Sequence, residues 1–437
     1  MPRSYDTFVI GAGAAGLAAA AELARAGRPA LVLEARERIG GRIWSRREPG
    51  LPVPVELGAE FIHGRPPATF SLLHKAGSAA VAAPFVRWVV QDGTLHLRTT
   101  DVFGEVQHAL RREVGALKRR DVPVETLLER MRRRGLSEKA RVFARMRVQG
   151  YEAADPARAS ARAIAEDWTN EGAAGHFRPA GGYGTLLDSL AGELGRIGAE
   201  LRLRAVVRAV RWKPGSVEVE GTSRGKRFCA RAARAIIALP LGVLQLAPDA
   251  PGAVRFTPAL KEKRKALAGL ASGAVIKAAL RFRTAFWEKL DGGRYRDATF
   301  FHSPQAAFPT FWTALPVRAP LLIAWAGGPN AARLSGAGSR TIMRHAVASL
   351  KTIFGKQLDI EAQLEAFHLH DWQRDPYARG AYSYVTVGGH GAREALAAPL
   401  KDTLFFAGEA TDLEGEATTV AGALQSGTRA ARQALGA

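Results

Sequence analysis

Asp6-Thr7-Phe8-Val9-Ile10-Gly11-Ala12-Gly13-Ala14-Ala15-Gly16-Leu17 is the stretch on which the reading of the whole chain turns. An apolar run ends in Gly11, Gly13 and Gly16, which stand in G-x-G-x-x-G spacing with Ala14 and Ala15 between them. Small residues then carry an apolar helical face through Leu23 and Ala24 to a stop at Gly27, and a second apolar run, Ala30 to Leu33, ends in Glu34. The order is strand, tight turn, helix, strand, acid. Glycines let the backbone turn sharply and approach a pyrophosphate, and the helix N-terminus offers it unpaired N–H groups. An acid at the position of Glu34 accepts hydrogen bonds from a ribose hydroxyl. The stretch therefore predicts a dinucleotide-binding unit; the competing reading is a glycine-rich turn in an ordinary α/β protein.

Beyond the acid, Glu34-Ala35-Arg36-Glu37-Arg38-Ile39-Gly40-Gly41-Arg42 sets a glycine doublet between arginines. The glycines allow a further close approach of backbone to ligand. Arg42 is a candidate to neutralise a phosphate and Arg36 to flank an adenosine; otherwise both are solvated charge. This arrangement resembles the start of the FAD-dependent amine oxidase family, in which the doublet marks FAD rather than NAD. The resemblance implies a Rossmann-like FAD-binding domain of the glutathione-reductase type joined to an α+β substrate-binding domain.

Composition bounds the possibilities. The chain has 437 residues, of which 47% are apolar, enough for two globular domains. Its one cysteine, Cys229, excludes an internal disulfide framework and a cysteine-rich metal site, and no metal ligands are assigned. Met1 to Ser4 are too few for a signal h-region, and no apolar run reaches membrane-spanning length, so the expectation is a cytoplasmic protein, monomer or homodimer. The formal net charge is +21, with arginines concentrated between Arg111 and Arg147. Solvated helix faces are the bland reading of that cluster. A patch for nucleic acid, anionic membrane or an acidic partner is the sharper one. No nucleic-acid-binding module accompanies it.

Further along, Glu56 to Gly64 reads as a loop whose backbone approaches a ligand, with Gly58, Ala59 and Glu60 at its centre. By resemblance this loop lies beside the flavin ring, and Ile62-His63-Gly64 is closest to polyamine oxidases, with His63 facing the amine; a structural histidine is the alternative. From Ser71 to Trp168 the pattern is helical, with one hairpin from Val86 to Leu97 around Asp92-Gly93. Gly181 to Gly184 turn into a helix. Leu201 to Val219 alternate as strands, with Val206 and Val207 where the family's adenine-facing strand lies. Ala235 to Leu244 is a buried strand closed by Pro240 and a turn at Gly242. Phe300 to Leu322, with Trp312, is either pocket wall or core. Ser339 to Phe354 is one amphipathic helix.

Lys277 interrupts the strand-like run Ala274 to Phe282. Read alone, it is an edge-strand or snorkelling lysine, because burial without a partner is costly. The resemblance instead assigns it to the lysine that reaches flavin N5 through a water. Trp372 to Val385 mixes aromatics with turn residues, and aromatic faces suit a flavin and an amine. In this segment Trp372 and Tyr377 flank the cofactor, Tyr382 matches the aromatic residue beside the amine, and Ala381 stands where monoamine oxidases carry a flavin-linking cysteine. Non-covalent FAD follows. Gly408 and Glu409 end a short strand that begins at Thr403, and Thr418-Thr419-Val420 open a helix to Leu435. That helix N-terminus faces the flavin pyrimidine edge by resemblance, where its dipole favours negative charge. Thr419 replaces the second cage tyrosine of monoamine oxidases.

The implied organisation is a discontinuous FAD domain, 1–75, 190–255 and 395–437, with a substrate domain at 76–189 and 256–394. The chain lacks the extra N-terminal module and helical insertion of the histone demethylases, so the resemblance carries no chromatin role. The implied activity is oxidation of a primary or secondary amine, polyamine-like by its motifs, with O2 reduced to H2O2. Lys277, Tyr382, Trp372, His63 and Thr419 are the catalytic candidates. A +21 chain repels polycations at long range, unless Glu60, Glu152, Glu166, Asp167 or Glu171 lines an attractive mouth. The alternatives are a monoamine or L-amino-acid oxidase on the same fold and a desaturase-like or porphyrinogen-oxidase-like flavoenzyme. From another class comes a flavoprotein binding module whose basic surface takes an anionic partner.

Overall fold

The computed structural model describes residues 5–28, 30–98, 101–170, 175–196 and 199–436. Met1 to Ser4 and Glu171 lie outside them. Two large sheets organise the rest. The first has eight strands and is built from three separated parts of the chain. Tyr5–Ile10 lies between Ala30–Leu33 and Lys226–Ile237, parallel to both. Glu200–Arg202 extends one side and Leu404–Phe406 pairs in parallel with the end of Lys226–Ile237. The antiparallel strands Ser216–Ser223 and Ala205–Lys213 continue the other side. Parallel central strands are buried on both faces and therefore read as unbroken apolar runs, as Phe8 to Ile10 and Leu31 to Leu33 do.

Helix Ala14–Arg25 packs on this sheet, and the C-terminal helix Val420–Leu435 packs on that helix. The alanine-rich sequence is what permits the approach. A side chain at Gly16 would put its Cβ 1.8 Å from the Gly11 carbonyl oxygen. The helix begins at Ala14 because Gly13 in extended conformation serves as its N-cap.

The second sheet runs Leu364–Asp371, Val275–Phe282, Leu321–Gly327, Thr310–Thr313, Phe300–His302, Arg87–Gln91, Thr94–Leu97. The expected hairpin is its far edge, and Asp92 and Gly93 both take positive φ, 50° and 77°, as a two-residue primed turn requires. Lys277 is on an interior strand paired on both sides, which removes the edge-strand reading. One sheet face packs into a core with Trp88, Ile276, Leu280, Phe301 and Phe311. The other face carries the residues that alternate with these.

Helices Val102–Arg119, Val124–Arg133, Glu138–Gly150 and Ala161–Asn170 form a separate apolar layer. Most of the arginine cluster is solvated or paired here: Arg132 and Arg133 with Glu129, Arg141 with Glu138, Arg145 with Glu125, and Arg130 and Arg134 with the buried Glu113. Arg147 is different and is taken up below. Two local expectations are corrected. Leu241–Leu244 is a short helical turn where a glycine turn was expected, since Pro240 starts a helix well and Gly242 packs against the Arg379 backbone. The expected loop at Glu56 to Gly64 contains two short strands, Val55–Glu56 and Ile62–His63. Among the described residues no helix is long and apolar enough to cross a membrane.

Candidate cofactor and substrate cavity

One continuous cavity of about 720 Å³ runs from the glycine turn across both sheets. Its first part is lined by Gly11, Gly13, Ala14, Ala15, Glu34, Ala35, Arg36, Gly41 and Arg42. Val207 and Val420 complete that wall. Gly16 does not line it; its role is the helix–strand contact described above. Glu34 is buried, and its carboxylate accepts from the backbone N–H of Ala12 and of Arg36, both at 2.8 Å. Those bonds fix the oxygens at the groove, with lone pairs left for a diol. Arg36 donates to Asp375 at 2.6 Å and lies over the Tyr377 ring at 5.4 Å. Asp375 is held well below the usual carboxylate range: burial opposes this, but His370 and Arg36 outweigh it.

At the opposite rim, Thr419 caps helix Val420–Leu435, its Oγ1 accepting from Gly422 N at 3.1 Å. Thr418, Thr419 and Val420 all face the cavity, so the helix dipole points into it. Gly408 and Glu409 lie beside them. Glu409 is buried and accepts from Arg42 at 2.9 Å and from the Ser383 hydroxyl at 2.7 Å. Burial pushes its pKa up, and Arg42, Arg393 and Ser383 more than reverse that. Arg42 also donates to the Ala381 carbonyl.

Beyond this wall sits Lys277, 1% exposed. Its ammonium donates to Glu60 at 2.7 Å and to the Gly58 carbonyl at 2.9 Å, 5.4 Å from the Trp312 ring. Glu60 also meets Arg178 at 3.2 Å and the Trp312 indole at 3.0 Å. Burial alone would raise Glu60, but Lys277 and Arg178 pull it below its ordinary value. The buried lysine is therefore a partnered one, which is the condition under which burial is tolerated. Gly58, Ala59, Trp372, Tyr377, Ala381 and Tyr382 line the same space. The Trp372 indole is tied to the Leu57 carbonyl at 3.0 Å, and the Tyr382 hydroxyl donates to the Tyr151 carbonyl at 2.7 Å. Burial, with Glu152 and Tyr151, holds that hydroxyl well above the normal tyrosine pKa.

His63 meets His176, Nδ1 to Nδ1, at 3.0 Å. Burial, then His176 and Arg147, push His63 down to about 3; burial with Arg147 and Arg87 brings His176 to about 4; burial with Arg87 and Arg98 brings His302 to about 3. All three are neutral at pH 7 and resist protonation in the fold. Buried Glu56 works the other way, pushed up to about 7. The signs give a stability prediction. The depressed histidines contribute stability that is present above their unfolded pKa of about 6.5 and lost as pH falls; the raised Glu56 gains a proton on folding and offsets one of the three. Near pH 5.5 unfolding should take up about two protons, so stability should fall by about 2–3 kcal/mol per pH unit. Urea unfolding of the holoprotein between pH 7 and pH 5 measures this slope; a flat profile would contradict the assigned environments.

The sequence-based reading missed much of the outer cavity. Phe61, Phe85, Tyr151, His176, Phe300, His302 and Trp325 line it, as do Arg87, Arg98, Asp101, Phe103, Phe143 and Arg147. Trp312, left open as wall or core, is both: it lines the cavity and packs in a buried cluster with Val55, Ala279 and Ile323. A signal existed: Phe300, His302, Thr310 and Trp312 alternate with the core residues Phe301 and Phe311. Of the acids proposed for a mouth, Glu171 lies outside the described residues, and among the others only Glu60 lines the cavity, bound to Lys277. Glu152 accepts from the Trp168 indole and Glu166 pairs with Arg162.

Residues 14–435 match the family described as flavin containing amine oxidoreductase. The chain belongs to that family. The glycine turn, the anchored Glu34 and the helix N-terminus fit its cofactor, FAD, without obstruction. Human lysine-specific histone demethylase 2 is 28% identical over 471 residues, covering 99% of this chain and 54% of the relative. Polyamine oxidase 2 of Arabidopsis thaliana is 28% identical over 442 residues, covering 94% and 84%. The chain thus spans about half the length of the demethylase and most of the polyamine oxidase. A putrescine oxidase structure bound to putrescine superposes with a TM-score of 0.81 at 21% identity over the full length of both chains. Cyclohexylamine oxidase from Brevibacterium oxydans gives 0.77 at 22%, with 98% of each covered. The fold is the amine oxidase fold.

Proposed function

We propose that this amine oxidoreductase is an oxidase: it converts a primary or secondary amine to an imine, which water hydrolyses to an aldehyde, with O2 reduced to H2O2. The observation that carries the reading is the buried Lys277, anchored by Glu60 and Gly58 where the dinucleotide groove opens into an aromatic cavity. FAD, when bound, would take a hydride equivalent, that is two electrons and a proton, from the amine α-carbon and pass the electrons to O2. In this reading Glu34 holds the ribose of the adenosine, Arg36 and Val207 border the adenine, and the backbone from Gly11 to Ala15 receives the pyrophosphate. Arg42 and Glu409 brace the middle of the cofactor, and Thr419 and Val420 present helix N–H groups to the pyrimidine edge. The division into 1–75, 190–255 and 395–437 against 76–189 and 256–394 belongs to the same reading, supported by the three-part first sheet.

The remaining steps fall to side chains. Two of the three Lys277 N–H donors are committed, which leaves one for a water molecule or for oxygen as negative charge develops on it. Trp372 and Tyr382 bound the amine, and their desolvating faces lower its pKa, so that it reacts neutral with its lone pair available. His63, neutral and paired with His176, is a positioning group, not a base. The nitrogen proton lost on imine formation leaves with solvent.

A peroxide-coupled screen of the purified yellow protein tests the reading. It would cover polyamines, diamines, monoamines and amino acids, with parallel acid precipitation. Amine-dependent peroxide is expected, with all flavin released to the supernatant because Ala381 offers no thiol for a covalent link. Silence toward every amine with FAD bound would overturn the oxidase assignment; yellow colour in the pellet would overturn non-covalent attachment.

A further inference from the structure

The substrate half of the cavity has a floor, the exposed face of the second sheet, and its register can be followed residue by residue. Lys277 pairs with Trp325, Trp325 with Thr310, and Thr310 with His302. In the adjacent row Trp312 pairs with Phe300 and Phe300 with Arg87. Each of these residues lines the cavity. The floor therefore runs from a lysine to an arginine across four strand spacings, about 19 Å at roughly 4.8 Å each. Between the two ends lie only aromatics, a threonine and a neutral histidine.

Arg87 is not alone at the far end. The Arg98 N–H bonds to the Arg87 carbonyl at 2.9 Å across the hairpin, and Arg147 arrives from helix Glu138–Gly150. All three guanidiniums line the cavity and are half-buried on aromatic faces. Arg87 lies 4.2 Å from the Phe85 ring, Arg98 3.9 Å from Phe143, and Arg147 4.2 Å from Tyr151. Burial and mutual repulsion lower Arg87 and bring Arg98 to about 10. Arg87 and Arg98 form no ion pair among the described residues, and the carboxylate that shares their end of the cavity, Asp101, is occupied in capping helix Val102–Arg119. Among the described residues, Arg87 and Arg98 face one carboxylate, Asp101, which leaves a positive potential in a partly desolvated pocket that favours an anion and disfavours a second ammonium.

We infer that this end of the cavity binds an anionic group, so that the amine oxidised here carries a carboxylate or phosphate on the end of its chain away from the reacting nitrogen. The inference rests on the oxidase reading for the amine end. The four strand spacings between Lys277 and Arg87 put an α-carboxylate out of reach of Arg87 and of Arg98 beside it. It also sets the chain apart from the polyamine-like substrate its motifs suggest: a polyamine entering this slot would bring its second ammonium against Arg87, Arg98 and Arg147.

Two measurements on the holoenzyme test this. Calorimetric titration with n-alkyl carboxylates and n-alkyl phosphates reads the anion site without turnover. Peroxide assays with ω-amino carboxylates, ω-aminoalkyl phosphates, α,ω-diamines and n-alkylamines of matched, increasing length read its use. Anion-bearing amines are expected to exceed matched diamines in kcat/KM by about 10- to 100-fold, the value of one charge-assisted hydrogen bond. Arg98→Met, with Arg87→Met as the companion should the first fold poorly, is expected to reduce both the anionic-to-neutral preference and carboxylate affinity by a similar factor. Whichever anion wins identifies the group. Diamines outrunning the anionic series, or a preference and affinity unmoved by either variant, would overturn the inference. Arginine-dependent carboxylate binding without turnover of any amine would uphold the anion site and remove the oxidase reading instead.

Discussion

Lys277→Met is expected to fold, to remain yellow and to lose about 10²- to 10³-fold of amine-dependent peroxide production, the usual cost of removing one preorganised donor from a charge-developing site. Methionine fills nearly the same volume, so packing changes little. The electrostatics change more. Glu60 would keep Arg178 and the Trp312 indole but lose its closest cation, and breaking a buried pair costs about 3–5 kcal/mol when nothing else compensates. With Arg178 still in place the expected loss of stability is smaller, about 1–3 kcal/mol. Glu60→Gln in the same protein would in turn strip the buried Arg178 of its carboxylate. The double variant should be less stable than the single one and recover none of the peroxide rate. Urea midpoints and peroxide kinetics on the single and double variants make the comparison. A single variant with unchanged kinetics would take Lys277 out of the site.

Two glycines of one motif are expected to fail in different ways. At Gly13 a Cβ would find its nearest protein neighbour 3.9 Å away, at the Gly40 carbonyl oxygen, so Gly13→Val has room in the protein and intrudes only on the groove. At Gly16 the Cβ would lie 1.8 Å from the Gly11 carbonyl oxygen, inside the contact of helix and strand. Gly13→Val should give a soluble, cooperatively folded and colourless protein, because the pyrophosphate approach is blocked. Gly16→Val should lose folded protein altogether, as overpacking against backbone has no flexible side chain to yield. Flavin absorbance per folded chain, with circular dichroism as the measure of folding, separates the two. A yellow Gly13→Val would show that the cofactor backbone does not pass this residue.

These glycines were legible in the sequence because their chemistry is local: turn, helix start and acid follow one another within thirty-odd residues. The Asp92-Gly93 hairpin and the Ser339–Phe354 helix were legible for the same reason, as each follows from a turn type or a period. Lys277 was legible only through resemblance. Its own neighbours in the chain suggested a snorkelling lysine, and its partner Glu60 lies 217 positions away. The anion pocket was not legible at all. Arg87 and Arg98 belong to a hairpin and Arg147 to a helix in an arginine-rich region, where it could not be told from Arg141 or Arg145, whose pairing is on the surface. Only the folded helical layer turns Arg147 toward Tyr151 and the cavity while its neighbours face out. Glu152 and Glu166 do not line the cavity for the converse reason: both already have partners within that layer.

The two walls of the cofactor groove stand about four hundred residues apart in the chain, Gly13 on one side and Thr419 with Val420 on the other. On the ribosome, at about 5–20 residues per second, the first strand, helix and acid exist for roughly 20–80 s before the closing helix is made. Through that interval the nascent chain holds half a groove and a sheet whose central pairing with Leu404–Phe406 is still missing. Closure of the cofactor groove therefore waits on the helix Val420–Leu435.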